Sequence, residues 1–222
     1  MLTFFLQPSN RRAQQVSTGR LRMFSRKFAV LAVAAFSLTL ASDAAAQASF
    51  TPSYNSPYRA FNSSEFGGIL SFPDGASDFA VEGVYRFARG AWDVGIKGGI
   101  IDAGSTAVIA GVEGRLRVMD HTQQDFPLDG AVVVGLGTFD FDRFLVPSAG
   151  LSLGRNVQLE DFSFTAYGQP TVFLATGSGS TDFNFGLGLG VDFQIAEAVD
   201  LRTSFGLVDG PNGISFAFVW IR

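Results

Sequence analysis

The 14 residues from Asp182 to Ile195 constrain the fold more than any other part of this 222-residue chain. Their odd-numbered positions are all apolar, and their even-numbered positions are all polar or glycine. Because successive side chains of a β-strand point to opposite faces, this alternation predicts a strand with one apolar face. At about 3.3 Å per residue the strand would be about 46 Å long, enough to cross a hydrocarbon core of about 30 Å at a tilt of about 45°. A half-buried strand of a soluble sandwich would show the same alternation.

The alternation continues through residues 64–222 and predicts about ten strands, with eight as the alternative. Most predicted strands have about the 9–11 residues that a transmembrane β-strand needs, and turn residues such as Arg89-Gly90 separate them. No helical periodicity is visible in this region. The predicted fold is therefore all-β, a closed antiparallel up-and-down transmembrane β-barrel. Pro147 and Pro170 fall inside predicted strands and are expected to mark bulges or strand ends.

The N-terminal residues are typical of an export signal. Arg26 and Lys27 precede an apolar run, and Ala44–Ala46 form a small-residue cleavage site. We expect residues 1–22 to be a mis-assigned upstream extension, 23–46 a cleaved signal peptide, 47–63 a periplasmic lead-in with little regular structure, and 64–222 the barrel. The apolar run is too short for a comfortable transmembrane helix.

Charge and cysteine content exclude several classes of function. Removing residues 1–46 would leave 10 basic and 19 acidic residues, so a nucleic-acid partner is not expected. The chain has no Cys, which removes disulfides, thiol nucleophiles and Cys-based metal sites. Only one Lys would remain, although soluble β proteins normally carry many on their wet faces and edges.

The polar face of the predicted strands is sparsely charged, mixed in sign and rich in glycine. This composition favours the crowded interior of a small closed barrel over the water-exposed face of a soluble sandwich. Closure is expected because an open sheet edge cannot be hydrogen-bonded in hydrocarbon. The expected network of charges in the lumen consists of Glu82, Arg86, Asp93, Lys97, Glu113, Arg115, Arg117, Asp192 and Arg202.

The final strand, Gly213–Arg222, alternates and is rich in aromatic residues. With the export signal and the two-residue repeat, it makes the chain resemble small Gram-negative outer-membrane β-barrel proteins of the opacity-protein and OmpA-barrel type. The resemblance implies an outer-membrane location, lipid and lipopolysaccharide as partners, and recognition of the last strand by the barrel-assembly machinery. The chain departs from the pattern at its end, where Ile221 and Arg222 follow the last aromatic residue. The expected lipid-interface aromatics are Phe87, Trp92, Phe216, Phe218 and Trp220.

The residues give no indication of an enzyme, a cofactor or a resident metal. Enzymes of the resembled class use His near the outer rim, whereas the single His121 falls in a connection on the periplasmic side. Asp140 and Asp142 fall on the outer side and could contact Ca²⁺ or lipopolysaccharide-bridging cations, but two acids are few for Ca²⁺, and Arg143 competes for them. A solvated loop is the simpler interpretation of both segments.

Three functions stay open at this point. The first is a monomeric barrel whose lumen is plugged by side chains and whose role is structural or surface interaction. The second is a narrow porin-like channel for small solutes, and the third is a soluble secreted barrel that binds a small ligand. Ten strands leave a lumen that side chains nearly fill, and wide aqueous channels come with about 16 strands or more.

Two strand registers are predicted. A turn at residues 196–198 should set Ile195 opposite Val199 and Asp192 opposite Arg202. A two-residue loop at Arg89-Gly90 should pair the strands on either side of it, with opposed pairs Ala88–Ala91, Phe87–Trp92, Tyr85–Val94, Arg86–Asp93 and Glu82–Lys97. The weak point of this loop is Arg89, because a type I′ turn needs a positive φ there.

Overall fold

A computed structural model describes residues 51–57, 63–73, 78–102, 104–123, 125–140, 144–160, 162–177, 180–207 and 212–222. All of these residues belong to one compact unit that spans Ala41–Arg222. The predicted extension, the signal peptide, Asp142 and Arg143 lie outside the described residues. None of the described residues forms a helix long and apolar enough to cross a membrane.

Ten antiparallel strands form a single closed barrel, which confirms the predicted fold class and strand number. Each strand pairs with the next one along the chain, and the last strand pairs with the first. The strands are β1 (Glu65–Pro73), β2 (Phe79–Arg89), β3 (Trp92–Asp102), β4 (Thr106–Met119), β5 (Asp129–Phe139), β6 (Phe144–Gln158), β7 (Ser163–Gly177), β8 (Ser180–Ala196), β9 (Val199–Leu207) and β10 (Gly213–Ile221).

The up-and-down connectivity gives the barrel two distinct rims. We call the rim where β1 begins and β10 ends the terminal rim, and the opposite one the far rim. The β2–β3, β4–β5, β6–β7 and β8–β9 connections lie at the terminal rim, and the other five lie at the far rim. The β4–β5 connection therefore lies at the same rim as the strand termini, as the sequence predicted for His121.

Side chains alternate between the outside and the lumen along the strands. On β8, Phe183 and Phe185 are exposed, whereas Gly188 and Asp192 are buried. The exposed outer face carries large apolar side chains on all ten strands. The sheet is thus apolar outside and polar over much of its inside, which is the reverse of a soluble protein.

The two predicted registers had different outcomes. Asp192 pairs with Arg202 as predicted, but a bulge between Gln194 and Ala196 sets Ala196 opposite Val199. The pairing predicted around Arg89-Gly90 is wrong. The opposed pairs are Arg89–Trp92, Ala88–Asp93, Phe87–Val94, Arg86–Gly95, Tyr85–Ile96, Val84–Lys97 and Glu82–Gly99.

The physical reason for the shifted register is the turn. The two loop residues are Gly90 and Ala91, and only Gly90 has a positive φ, of 68°. A positive φ at the first loop position alone is the requirement of a type II′ hairpin turn, which glycine meets without strain. The observed turn thereby avoids placing Arg89 in the left-handed region. The observed register differs from the predicted one by two residues, so every side chain keeps its predicted face.

Both strand prolines also differ from the prediction. Pro147 lies inside β6 opposite Leu136, and Pro170 lies inside β7 opposite Leu187. Neither proline shifts the register of the β6–β7 pair, although the pairing is interrupted beside each of them. Proline lacks the N–H that a ladder needs, so a local gap in the pairing replaces the predicted bulge.

Candidate functional site

The lumen contains a cluster of buried charges on β2, β3 and β4. Arg86 pairs with Asp93 at 2.6 Å and with Glu113 at 2.9 Å. Arg115 pairs with the other oxygen of Asp93 at 2.8 Å. All four side chains are almost inaccessible to solvent. A buried charge without a partner is costly, and here each cation has at least one carboxylate within hydrogen-bonding distance.

A second cluster is centred on Arg202 of β9. Its guanidinium donates to Glu65 at 2.8 Å and lies 3.3 Å from Asp192 and 3.8 Å from Asp200. Sequence reasoning missed Glu65 and Asp200 as members of this cluster. Glu65 opens β1 on the inward parity, and Asp200 has the same parity as Arg202, so the alternation of their strands was the signal that could have found them.

Glycines on neighbouring strands make room for these large side chains. A Cβ atom added at Gly95 would lie 2.7 Å from Nη1 of Arg86, its cross-strand partner. One added at Gly190 would overlap the ring of Tyr167 on β7. The glycine-rich inner face therefore fits buried Arg and Tyr side chains, in agreement with the predicted interior of a small barrel.

Three of the predicted network residues lie elsewhere. Glu82 and Lys97 do not pair with each other. Glu82 accepts a hydrogen bond from Thr51, and Lys97 donates one to Ser53. Arg117 is half-buried near the terminal rim, where it lies 3.5 Å from Asp120. The structure thus brings together six of the nine predicted residues, in two clusters: Arg86, Asp93, Glu113 and Arg115 in the first, Asp192 and Arg202 in the second.

The lumen also contains a stretch of the chain itself, Thr51–Pro57, which we call the luminal segment. Residues 51–57 fall within the predicted periplasmic lead-in of residues 47–63, and in the structure their side chains and backbone contact the inner wall of the barrel. Six of these seven residues are buried, and none is in a helix or strand. Residues 47–50 and 58–62 of the predicted lead-in lie outside the described residues.

Inward-facing side chains of the barrel bind the backbone of this segment. The hydroxyl of Ser204 donates to the carbonyl of Pro52 at 2.8 Å, and that of Tyr167 donates to the carbonyl of Tyr54 at 2.9 Å. Arg115 donates to the carbonyl of Ser56 at 2.7 Å. Ser152 and Ser215 make two further bonds to segment carbonyls. Backbone groups that lack sheet partners are thereby satisfied by the wall of the barrel.

The side chains of the luminal segment contact charged residues of the wall. Thr51 donates to Glu82 at 2.7 Å, and Ser56 donates to Asp192 at 2.7 Å. Lys97 donates to the hydroxyl of Ser53 at 2.9 Å. The ring of Tyr54 lies against Gly188, where an added Cβ atom would overlap it.

A small cavity of about 20 Å³ lies between the luminal segment and the wall, with Tyr54, Asn55, Lys97, Arg202 and Ser215 among its lining residues. That volume holds one or two water molecules. Over the described residues, the lumen thus contains paired charges and a stretch of the chain's own backbone.

The predicted interface aromatics all lie on the outer surface. The side chains of Phe87, Trp92, Phe216, Phe218 and Trp220 are each between 38% and 50% exposed. Near the terminal rim, the rings of Phe87 and Trp92 lie 6.0 Å apart, and Trp220 stacks on Phe66 at 5.8 Å. These contacts place both tryptophans of the chain on the outside of the same rim.

The β4–β5 connection contains a compact polar cluster. Nδ1 of His121 lies 2.8 Å from Oδ2 of Asp129, and the other carboxylate oxygen, Oδ1, accepts from the backbone N–H of His121. Potential ligand atoms of Asp120, His121 and Asp129 lie within 4.8 Å of one another. Thr122 donates two hydrogen bonds to Asp120 and thereby lowers the pKa of that carboxyl. These contacts tie the connection together and leave Asp120 occupied by the chain's own donors.

Comparison with known proteins identifies no family. No family model matches the chain, and no curated protein matches it. A solved structure described as "Bacterial polysaccharide outer membrane secretin" is similar at a TM-score of 0.40 and 12% identity. The match covers 72% of this chain and 66% of the other, so the chain spans just under two thirds of that structure's length.

Proposed function

We propose that the protein is an outer-membrane β-barrel with a plugged lumen and a structural or surface-interaction role. The observation that carries the proposal is the inversion of polarity: large apolar side chains cover the outside of all ten strands, while ion pairs are buried inside. In water such an outer face would be an aggregation site, because soluble monomers rarely expose apolar patches above a few hundred Å². In a bilayer it would be the lipid-facing surface.

The proposed partners follow from this orientation. Lipid and lipopolysaccharide contact the outer face, and the barrel-assembly machinery recognises β10, whose outward residues are Phe216, Phe218 and Trp220. In this proposal the terminal rim, at which the barrel begins and ends, faces the periplasm. No catalytic role is proposed for His121, which contacts Asp129 within a connection at that rim.

The filled lumen favours the plugged barrel over a permanently open porin. Arg86, Asp93 and Arg115 form one ion-paired group on the inner face of the wall, and the luminal segment lies beside them. A permanently open channel would need a lumen from which the luminal segment is absent. A soluble ligand-binding barrel is also disfavoured, because its outer face would have to meet water.

The proposal is tested by refolding the mature protein in detergent and in lipid vesicles. We expect β-type circular dichroism and a different gel mobility for unboiled and boiled samples, because a closed barrel resists SDS until it is heated. A heat-denatured and rapidly cooled sample without detergent is the control. A mature protein that folds and stays monomeric in buffer without detergent would contradict the membrane location and favour the soluble barrel.

A further inference from the structure

The luminal segment occupies the barrel without being part of its sheet. The ten strands close on one another, and over the described residues none of them pairs with Thr51–Pro57. The segment is connected to β1 through residues 58–64, and its other contacts with the barrel are made by side chains. Removing it from the lumen would therefore break no strand pairing, and the wall of the barrel would stay closed.

The contacts of the segment are those of a peptide in a binding site. Five consecutive carbonyls, those of residues 52–56, each accept from a side chain of the wall. The ring of Tyr54 fills the space that Gly188 leaves open on β8. The Tyr54 ring packs against Gly188, and losing this contact would weaken the binding of the segment to the wall.

The surface behind the segment is polar and would accept water. Ser152, Tyr167, Ser204 and Ser215 present hydroxyl groups, and Lys97 and Arg115 present charged groups, to the space that the segment fills. Water can replace the hydrogen bonds that these groups make to the segment. An emptied lumen would therefore be hydrated at this level rather than collapse as an apolar gap would.

We propose that the barrel is a latent channel for small hydrophilic solutes, closed by the luminal segment and opened when that segment leaves the lumen. This inference rests on the proposed function, because conduction needs a barrel that spans a membrane. It goes beyond a side-chain plug, since the closing element is a stretch of the chain that is tethered to β1. A tether of this kind holds the segment at a high effective concentration, so the closed state dominates.

A reversible disulfide between segment and wall tests the proposal in one molecule. The chain has no Cys, so the double variant Tyr54→Cys with Gly188→Cys contains only the two introduced thiols. A Cβ atom at Gly188 would overlap the Tyr54 ring, so the two thiols face each other at the site of that contact. In planar bilayers we expect no steady current from the oxidised protein. After reduction, with the aromatic anchor gone, we expect a steady current.

The matched control pairs Tyr54→Cys with Gly68→Cys instead. Gly68 faces outward, and a Cβ atom there would meet nothing closer than 3.9 Å. This control cannot cross-link the segment, so it should conduct whether oxidised or reduced. Formation of the disulfide in the test variant also shows that this variant has folded with the segment inside.

A second variant tests the same contact without a disulfide. Gly188→Ala places a methyl group where the Tyr54 ring lies, and this group occupies little of the lumen itself. The control is Gly68→Ala, which adds the same group on the outer face of the barrel. We expect steady conductance from the first variant and none from the second. The proposal is overturned if the two thiols do not cross-link, or if neither the reduced protein nor Gly188→Ala conducts. If the latent channel is overturned but the wild-type protein is heat-modifiable and does not conduct, the proposed function still stands. A wild-type protein that fails to insert into the bilayer would contradict both the latent channel and the proposed function.

Discussion

At the scale of single residues, the stability of the barrel depends on charges that have partners. One carboxylate oxygen of Asp93 accepts hydrogen bonds from Arg86, and both of its oxygens accept from Arg115. All three side chains are almost inaccessible to solvent. Removing one partner of a buried pair leaves an uncompensated charge, which costs more than the pair itself contributes. The cluster is therefore a sensitive point of the fold, although its net contribution is modest.

We predict that Arg115→Ala lowers the free energy of unfolding by about 3–5 kcal/mol, the usual cost of breaking a buried ion pair. The substitution also removes the donor to the carbonyl of Ser56. Urea titration of vesicle-inserted protein, followed by tryptophan fluorescence, measures the change. Arg89→Ala is the matched control, because Arg89 is exposed and its removal should change stability by less than about 0.5 kcal/mol. Equal effects of the two substitutions would contradict the buried network.

The sequence could predict which face of its strand each charged residue of the site occupies. Every one of the predicted charges lies on the inward parity of its strand, because the period of two fixes the face of each side chain. The partners could not be predicted in the same way. Glu82 and Lys97 were expected to pair, but both bind the luminal segment, whose position no local pattern encodes.

At the scale of elements, the β2–β3 hairpin shows why register is harder to predict than face. The predicted register set Arg86 directly opposite Asp93, and the ion pair does form, at 2.6 Å. The two residues are nevertheless not opposed, since Arg86 pairs with Gly95 and reaches Asp93 diagonally. A long Arg side chain makes the same salt bridge from either register, so the charges do not select one. The turn selects it, through the positive φ of Gly90.

We predict that Gly90→Ala destabilises the barrel by about 1–2 kcal/mol, the cost of an L-residue in the left-handed region. Nothing lies within 4 Å of an added Cβ atom at Gly90, so the effect would come from the backbone alone. Gly90→Asn is the control, because Asn tolerates a positive φ better than Ala does. The urea midpoint of vesicle-inserted protein measures both. An Ala variant as stable as the wild type would show that Gly90 does not hold the observed turn.

At the scale of the whole molecule, the closed ten-stranded barrel was predictable and the content of its lumen was not. The apolar alternation recurs in every strand, so closure and strand number follow from patterns a few residues long. The luminal segment has no such pattern. Thr51–Pro57 is a polar stretch with two prolines, and its place depends on contacts with residues more than 30 positions away, such as Glu82, Ser152 and Ser204.

The central claim, that the apolar outer face lies against lipid, is tested most directly by the two tryptophans. Trp92 and Trp220 are the only tryptophans of the chain, both are on the outer surface near the terminal rim, and both are more than 40% exposed. Tryptophans of membrane barrels concentrate at the bilayer interface. The measurement is fluorescence quenching of the protein in vesicles whose lipids carry bromine at different depths. We predict strong quenching that is greatest for bromine near the headgroups, whereas fluorescence unaffected by brominated lipid at every depth would contradict the account.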